Sequence, residues 1–313
     1  MLSRRHLRIK VMQILYGHSH AGFDGISAGE KELLLSIDRY YELFLYQLSF
    51  ITEVQEAARR QYEDAKLKHL PEEESYPTRF IDNCILTAIS ENKTLNELYK
   101  KRSISWVAEN EIVRRMLKSF KSRPVYKKYM SADNNDFEKD KEIIVNLIKK
   151  GLEDFAPLLQ YYESKSIFWV DDIDTVNFIL SKVIWSCKKE ETGDVFSEME
   201  LSLDDEDREF TINLFRKTLM SADKFEKIIS EKTRNWEVER IAVMDIILLK
   251  MAICELTEFP SIPVKVTMNE YIEIAKMYST PKSSMFINGI LDKLLVDFRT
   301  QGLVKKTGRG LMQ

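Results

Sequence analysis

Three arginines open this chain at a spacing suited to holding phosphate. Residues 3–16 read SRRHLRIKVMQILY. Leu7, Val11, Ile14 and Leu15 recur at helical spacing. On that helix Arg4, Arg5 and Arg8 fall within an arc of about 100° beside the apolar stripe. A guanidinium pairs bidentately with phosphate oxygens. Exposed cations in a first turn oppose the helix dipole at about 0.3–1 kcal/mol each, so folding does not call for them there. The segment alone leaves two readings open, a solvated basic end and a phosphate-binding patch. On the second reading Gln13 and Tyr16 add a base-edge contact and a stacking face.

A second set lies near the other end, at Phe286, Asn288 and Gly289. Glycine inside a helical pattern costs about 1 kcal/mol against alanine. Either a neighbouring helix approaches closely at Gly289, or an aromatic face, an amide and bare backbone are presented to a ligand. Other groups carry less. His18 and His20 have no cysteine or acidic ligand set for company, so loop histidines are the better account. Asp171 and Asp172 precede a helical pattern, where negative charge is favoured, and no partner base accompanies them. Lys118, Lys121, Arg123, Lys127 and Lys128 form a basic cluster that reads as a solvated face or an auxiliary surface. No phosphate-cradling glycine loop, dinucleotide fingerprint, zinc-protease pair or nucleophile elbow occurs. A binding protein is therefore expected rather than an enzyme, with no cofactor and no metal.

These residues must be positioned by helices. Gly 10 and Pro 7 are few in 313 residues, period-two alternation is scarce, and an all-α fold follows. The net charge of −3 leaves any nucleic-acid role to local patches. Cys84, Cys187 and Cys254 are far apart, as befits reduced thiols in a cytoplasmic protein. No apolar run reaches the roughly 18 residues that would span a membrane. The segment from Glu237 to Glu258 is apolar nearly all round and must be buried between other helices. Pro260 and Pro263 end it, the latter suiting the first turn of the next helix. Val264, Met268, Tyr271, Ile272, Ala275 and Tyr278 stripe that helix. After Pro281, Ser283 or Ser284 caps a last one, striped by Ile287, Ile290, Leu291, Leu294 and Phe298.

Upstream, a long helical pattern covers Glu30 to Lys68, with Tyr40 and Tyr41 in its core stripe, and an acidic loop covers Pro71 to Pro77. Shorter helices follow: Phe80 to Ser90, one opened by a Thr94–Glu97 capping box, one capped by Ser105 and running to Phe120, Phe137 to Phe155, and Ile173 to Lys189. The acidic stretch Gly193 to Asp207 is the best junction. Asp204 to Asp207 opens a helix with Phe210, Leu214 and Phe215, and Asp223 caps another. The tail, with Lys305, Lys306, Arg309 and three glycines, is expected to be flexible.

Three separated stretches carry a resemblance. The opening SRRHLRIKVMQILY is similar to the Arg-Arg-x-x-Arg … Gln-x-Leu-Tyr signature of the NusB transcription antitermination family. Glu255-Leu256 with IPVKVTMNEYIEIAK, and then FINGILDK, resemble that family's most characteristic segment, in the family's order. The resemblance covers about residues 1–20 and 205–295. It implies an all-α, NusB-like pair of helical bundles, here with a large helical insertion: an N-terminal RNA-binding helix at 1–20, the insertion at 21–203, a C-terminal bundle at 204–300 and a basic flexible tail at 301–313.

The implied function is that of a bacterial factor binding boxA-type single-stranded RNA of ribosomal RNA leaders. It would act with a NusE-type ribosomal protein in an antitermination complex on RNA polymerase, away from any membrane. The alternative is a helical interaction scaffold with weak or no RNA binding. Matched position by position, Arg4, Arg5 and Arg8 correspond to RNA-facing arginines, Gln13 and Tyr16 belong to the same motif, and Phe286 and Asn288 fall in a second RNA-facing region. Lys276 closes the NEYIEIAK helix and either faces phosphate or is merely solvated. Two departures make the site less basic: His6 stands in the arginine run, and Met285 stands where a lysine is common. The reading requires the opening helix to lie beside the closing one, so that guanidinium groups and Phe286 line a common groove.

Overall fold

The computed structural model describes residues 2–22, 24–67, 78–132, 136–190, 192–197, 202–233 and 241–311. All described secondary structure is helical. The acidic run 71–77, the start of the apolar segment at 237–240 and part of the acidic junction lie outside the described residues. The chain forms two compact units, Asp38–Ser202 and Leu2–Ile37 with Leu203–Gln313. One division lies between Ser202 and Leu203. The other falls after Ile37, inside a helix, so the first part of that helix belongs to the same unit as the opening segment.

The chain opens with α1 (Arg4–Ala21), capped reciprocally: Ser3 Oγ accepts from the His6 amide, and His6 Nδ1 accepts from the Ser3 amide. Histidine thus takes the place that Glu or Gln holds in a capping box, which gives the departure at His6 a local cause. The helix α2 (Ile26–Leu67) has 42 residues and spans about 63 Å at 1.5 Å per residue.

The Asp38–Ser202 unit then adds α3 (Cys84–Ser90), α4 (Lys93–Lys101), α5 (Asn110–Ser122), α6 (Pro124–Met130), α7 (Phe137–Asn146), α8 (Ala156–Lys165), α9 (Ile173–Ser186) and α10 (Thr192–Ser197). Two caps differ from expectation. Asn92, not Thr94, accepts from Leu95 N–H and starts α4, and α5 begins at Asn110, beyond Ser105. Asparagine is as good an acceptor as threonine and lies closer to the break. The helix α7 winds into a π-helical stretch, Leu147–Leu152. Tyr46, Phe50, Trp106, Tyr161, Tyr162 and Trp169 pack ring against ring, with centroids 4.7–6.4 Å apart. Tyr40 and Tyr41 are also core.

The other unit completes the chain with α11 (Asp205–Met220), α12 (Ala222–Lys232), α13 (Val243–Glu258), α14 (Val264–Tyr278) and α15 (Ser283–Thr300). Asp204 caps α11, as expected, whereas Asp223 lies within the first turn of α12, whose cap position is Ser221. The apolar α13 is the centre of this unit and packs against α1, α11, α12, α14 and α15. Burial on all sides is what its composition demands. The tail is docked, not free. Lys306 Nζ donates to the carbonyls of Glu255 and Phe259 at 3.3 and 3.0 Å, and Thr307 N–H donates to Pro260 O at 2.9 Å. The Glu255 carbonyl already accepts from the Phe259 amide, and the tail adds donors to it and to the carbonyls of Phe259 and Pro260 just beyond α13. No described helix is long and apolar enough to cross a membrane.

Candidate functional site

The opening arginines fall into two kinds. Arg8 is 2% exposed, and its Nε and Nη2 donate to the Glu255 carboxylate at 2.7 Å each. Glu255 is fully buried and also accepts from Thr267 Oγ1 at 2.8 Å and Tyr271 Oη at 3.1 Å. Burial alone would lower the Arg8 pKa, but the hydrogen bonds and charge of Glu255 outweigh it and raise it further above the arginine range. Burial likewise holds the Tyr271 hydroxyl protonated beside that carboxylate. Arg8 therefore ties α1 to α13 and α14. Its guanidinium does not face solvent, which corrects the expectation of a phosphate contact. Helical spacing put Arg8 beside the stripe but could not say how far the stripe's partners wrap around it.

Arg4 and Arg5 lie at the surface. Arg4 Nε donates to Asp207 at 3.0 Å, its Nη2 pairs with Glu206, and its guanidinium stands 5.1 Å from the Phe210 ring centroid. Burial works against the Arg4 charge, and the bonds to Asp207 and Glu206 more than offset it. Arg5 holds Glu270 through two bonds of 2.8 Å. These side chains and Arg309 from the tail line a groove of about 590 Å³ with Ser261, Pro263 and Val266. Arg309 has no ion-pair partner among the described residues, and sequence reading missed it because only the docked tail brings it there.

Tyr16 is 40% exposed, with its ring 4.5 Å from that of His20. Gln13 is partly buried in the same helix. Lys276 is exposed and paired with Glu273 at 2.6 Å.

Phe286 lies elsewhere on this unit, in a cavity of about 270 Å³ lined also by Lys282, Met285, Gly289, Ile290 and Lys293. It is half-buried, neither sealed in nor fully open. A Cβ added at Gly289 would meet nothing within 4 Å, so no neighbouring helix crowds it and close approach does not account for the glycine. Asn288 donates to Asp292 at 3.1 Å. Lys282 and Lys293 have no ion-pair partner among the described residues. Lys282 stands one turn before Phe286, so the cavity keeps a cation despite Met285. Buried Asp245 sets the start of α15 by accepting from Ser279 at 2.6 Å and Ser283 at 2.8 Å. Ser283 Oγ also accepts from Thr280 N–H, so it acts in the turn, while the cap position is Lys282.

The common groove is not found. The helix α1 packs chiefly against α11 and α13, then α14, while α15 packs on α14, α13 and α12. Arginines and Phe286 line two separate cavities.

The model of the NusB family matches residues 176–295. Over 112 residues the chain is 47% identical to the transcription antitermination protein NusB of Salinibacter ruber, covering 36% of this chain and 70% of that protein. The chain belongs to the NusB family. The NusB proteins of Chloroherpeton thalassium and Geotalea daltonii are 38% and 41% identical over 105 and 97 residues. Those matches cover 34% and 30% of this chain, and 50% and 67% of the two relatives. No solved structure matches the chain significantly. The NusB match begins within α9, earlier than residue 205, and the arginine-bearing α1 lies outside it.

Proposed function

We propose that this chain is a bacterial, cytoplasmic transcription antitermination factor. In this reading it binds boxA-type single-stranded RNA of ribosomal RNA leaders, with a NusE-type ribosomal protein, within an antitermination complex on RNA polymerase. The observation that carries the reading is the cavity at Phe286, where a half-exposed ring and an uncrowded glycine sit between the uncommitted cations Lys282 and Lys293. Unpaired bases stack on aromatic faces while cations hold the phosphates. Asn288 serves a base edge. Arg4, Arg5 and Arg309, with Gln13, Tyr16 and Lys276, supply further contacts, and Arg8 supports α1 from within. The protein acts as an adaptor, and no bond is made or broken.

The scaffold reading draws on the ion pairs of α1. A phosphate reaching Arg4 or Arg5 must displace Glu206, Asp207 or Glu270. RNA affinity is therefore weak without the protein partner. A fluorescence-anisotropy titration with boxA RNA, with and without the NusE-type protein, decides between the two. The adaptor reading expects saturable binding, tightened by the partner and weaker for a scrambled RNA of equal length. Absence of saturable binding in both titrations leaves the scaffold.

A further inference from the structure

A groove of about 880 Å³ runs between α14 and α15 and is closed on a third side by the docked tail. Its floor is aliphatic, made by Val264, Met268, Ile272, Leu295 and Val304, and each of these is only partly buried. Its rim carries Lys265, Arg299 and Lys305, none of which has an ion-pair partner among the described residues. The lining contains no carboxylate and no aromatic ring. The tail wall is built in. Lys306 holds the carbonyls of Glu255 and Phe259 at the end of α13, and at Gly310 a Cβ would collide with the Pro260 carbonyl oxygen. Burial lowers the Lys306 pKa, as expected for an ammonium taken into a wall.

We propose that this groove docks an acidic amphipathic segment of a partner protein. Apolar side chains at helical spacing would lie on the floor, and carboxylates would meet the three rim cations. An amphipathic helix in an apolar groove is a recurrent mode of recognition, and methionine adapts the floor to its occupant. The 15 residues of α14 give a track of about 22 Å, enough for roughly four turns of a bound helix. Charge selects the occupant: uncommitted cations with no acid among them favour carboxylates and reject a basic segment. RNA would share the cations, but the groove offers its bases no ring to stack on. The inference uses no residue of α1 or of the Phe286 cavity, so it stands or falls separately from the RNA reading.

The test uses the full chain and two labelled 16-residue helical peptides. Both carry leucine at positions one, four, five, eight, eleven and twelve. The remaining positions are glutamate in one peptide and lysine in the other. Anisotropy titrations should show the glutamate peptide binding about tenfold tighter or more, the sum expected of three exposed ion pairs. The triple variant Lys265→Glu, Arg299→Glu, Lys305→Glu should invert that order. All three side chains are exposed, and binding of the lysine peptide by the variant also reports that it is folded. Binding of neither peptide by the parent, equal binding of both, or an order the variant does not change would each overturn the proposal. Displacement of the glutamate peptide by a twelve-residue oligouridylate whose own affinity falls in the triple variant would assign the groove to RNA instead.

Discussion

The arginine groove and the Phe286 cavity belong to one unit and differ in what their cations already hold. In the groove, which Arg8 also lines, Arg4, Arg5 and Arg8 are committed to Glu206, Asp207, Glu270 and Glu255, and of its arginines Arg309 alone has no ion-pair partner among the described residues. In the cavity, Lys282 and Lys293 are committed to nothing described. A count of basic residues would rank the first site above the second, whereas the charge available to a ligand ranks them the other way. Within the groove, burial makes a further distinction: Arg8 is a fixture of the core, while Arg4 and Arg5 can exchange partners.

The largest effect should separate Arg8 from its neighbours. Arg8→Ala or Glu255→Ala strands a buried charge and should lower stability by about 3–5 kcal/mol in chemical denaturation. Arg5→Ala, at the surface, should cost within about 1 kcal/mol. Similar losses in both would mean that the buried pair is not anchoring α1.

Next comes affinity for boxA RNA. Phe286→Ala removes one stacking face and should weaken binding by about 1–3 kcal/mol, or roughly 5- to 150-fold. Arg4→Ala, already neutralised by Glu206 and Asp207, should weaken it less. The ranking of the two sites is wrong if the anisotropy titrations put Arg4→Ala first.

Salt dependence offers a finer discrimination. Lys282→Ala and Lys293→Ala should each flatten the plot of log K against log salt by about 0.7, one phosphate contact for a single strand. Arg5→Ala should flatten it less, because Glu270 already offsets the Arg5 charge and less of it is left to neutralise a phosphate and release that phosphate's counterion. Equal slopes for all three variants would erase the distinction between paired and unpaired cations.

The smallest effect concerns the start of α1. Burial, and then the charges of Arg5 and Lys10, hold the His6 pKa below its ordinary 6.5. Nδ1 can accept from the Ser3 amide only when unprotonated. The folded protein therefore binds this proton less readily than the unfolded chain. Its contribution is present in full above pH 6.5 and is lost as the pH falls through the lower folded value. His6→Gln keeps a capping side chain that does not titrate. Stability measured from neutral pH downward should show a shallower acid decline in His6→Gln than in the parent, and superimposable curves would exclude the role.

Much of the fold was legible because helical periodicity and proline breaks are local signals. The all-round apolarity of α13 announced its central place, and the stripes of α14 and α15 needed only their own spacing. Caps were less legible, since Asn92 and Thr94 are both competent acceptors and only the path of the chain chooses between them. The site was legible in its residue types and not in its geometry. Arg4, Arg5 and Arg8 read alike in sequence, and Gly289 suggested crowding where there is open space. Arg309 and Lys306 read as a loose tail, because the carbonyls that Lys306 serves, at the end of α13, lie some fifty residues earlier.

The sequence alone determined that this is a helical protein with a NusB-like C-terminal part, because hydrophobic period, breakers and motif order are written along the chain. Only the tertiary structure decided which charges are spent. Whether a guanidinium meets solvent or a buried carboxylate depends on residues hundreds of positions away, and no local pattern records that distance.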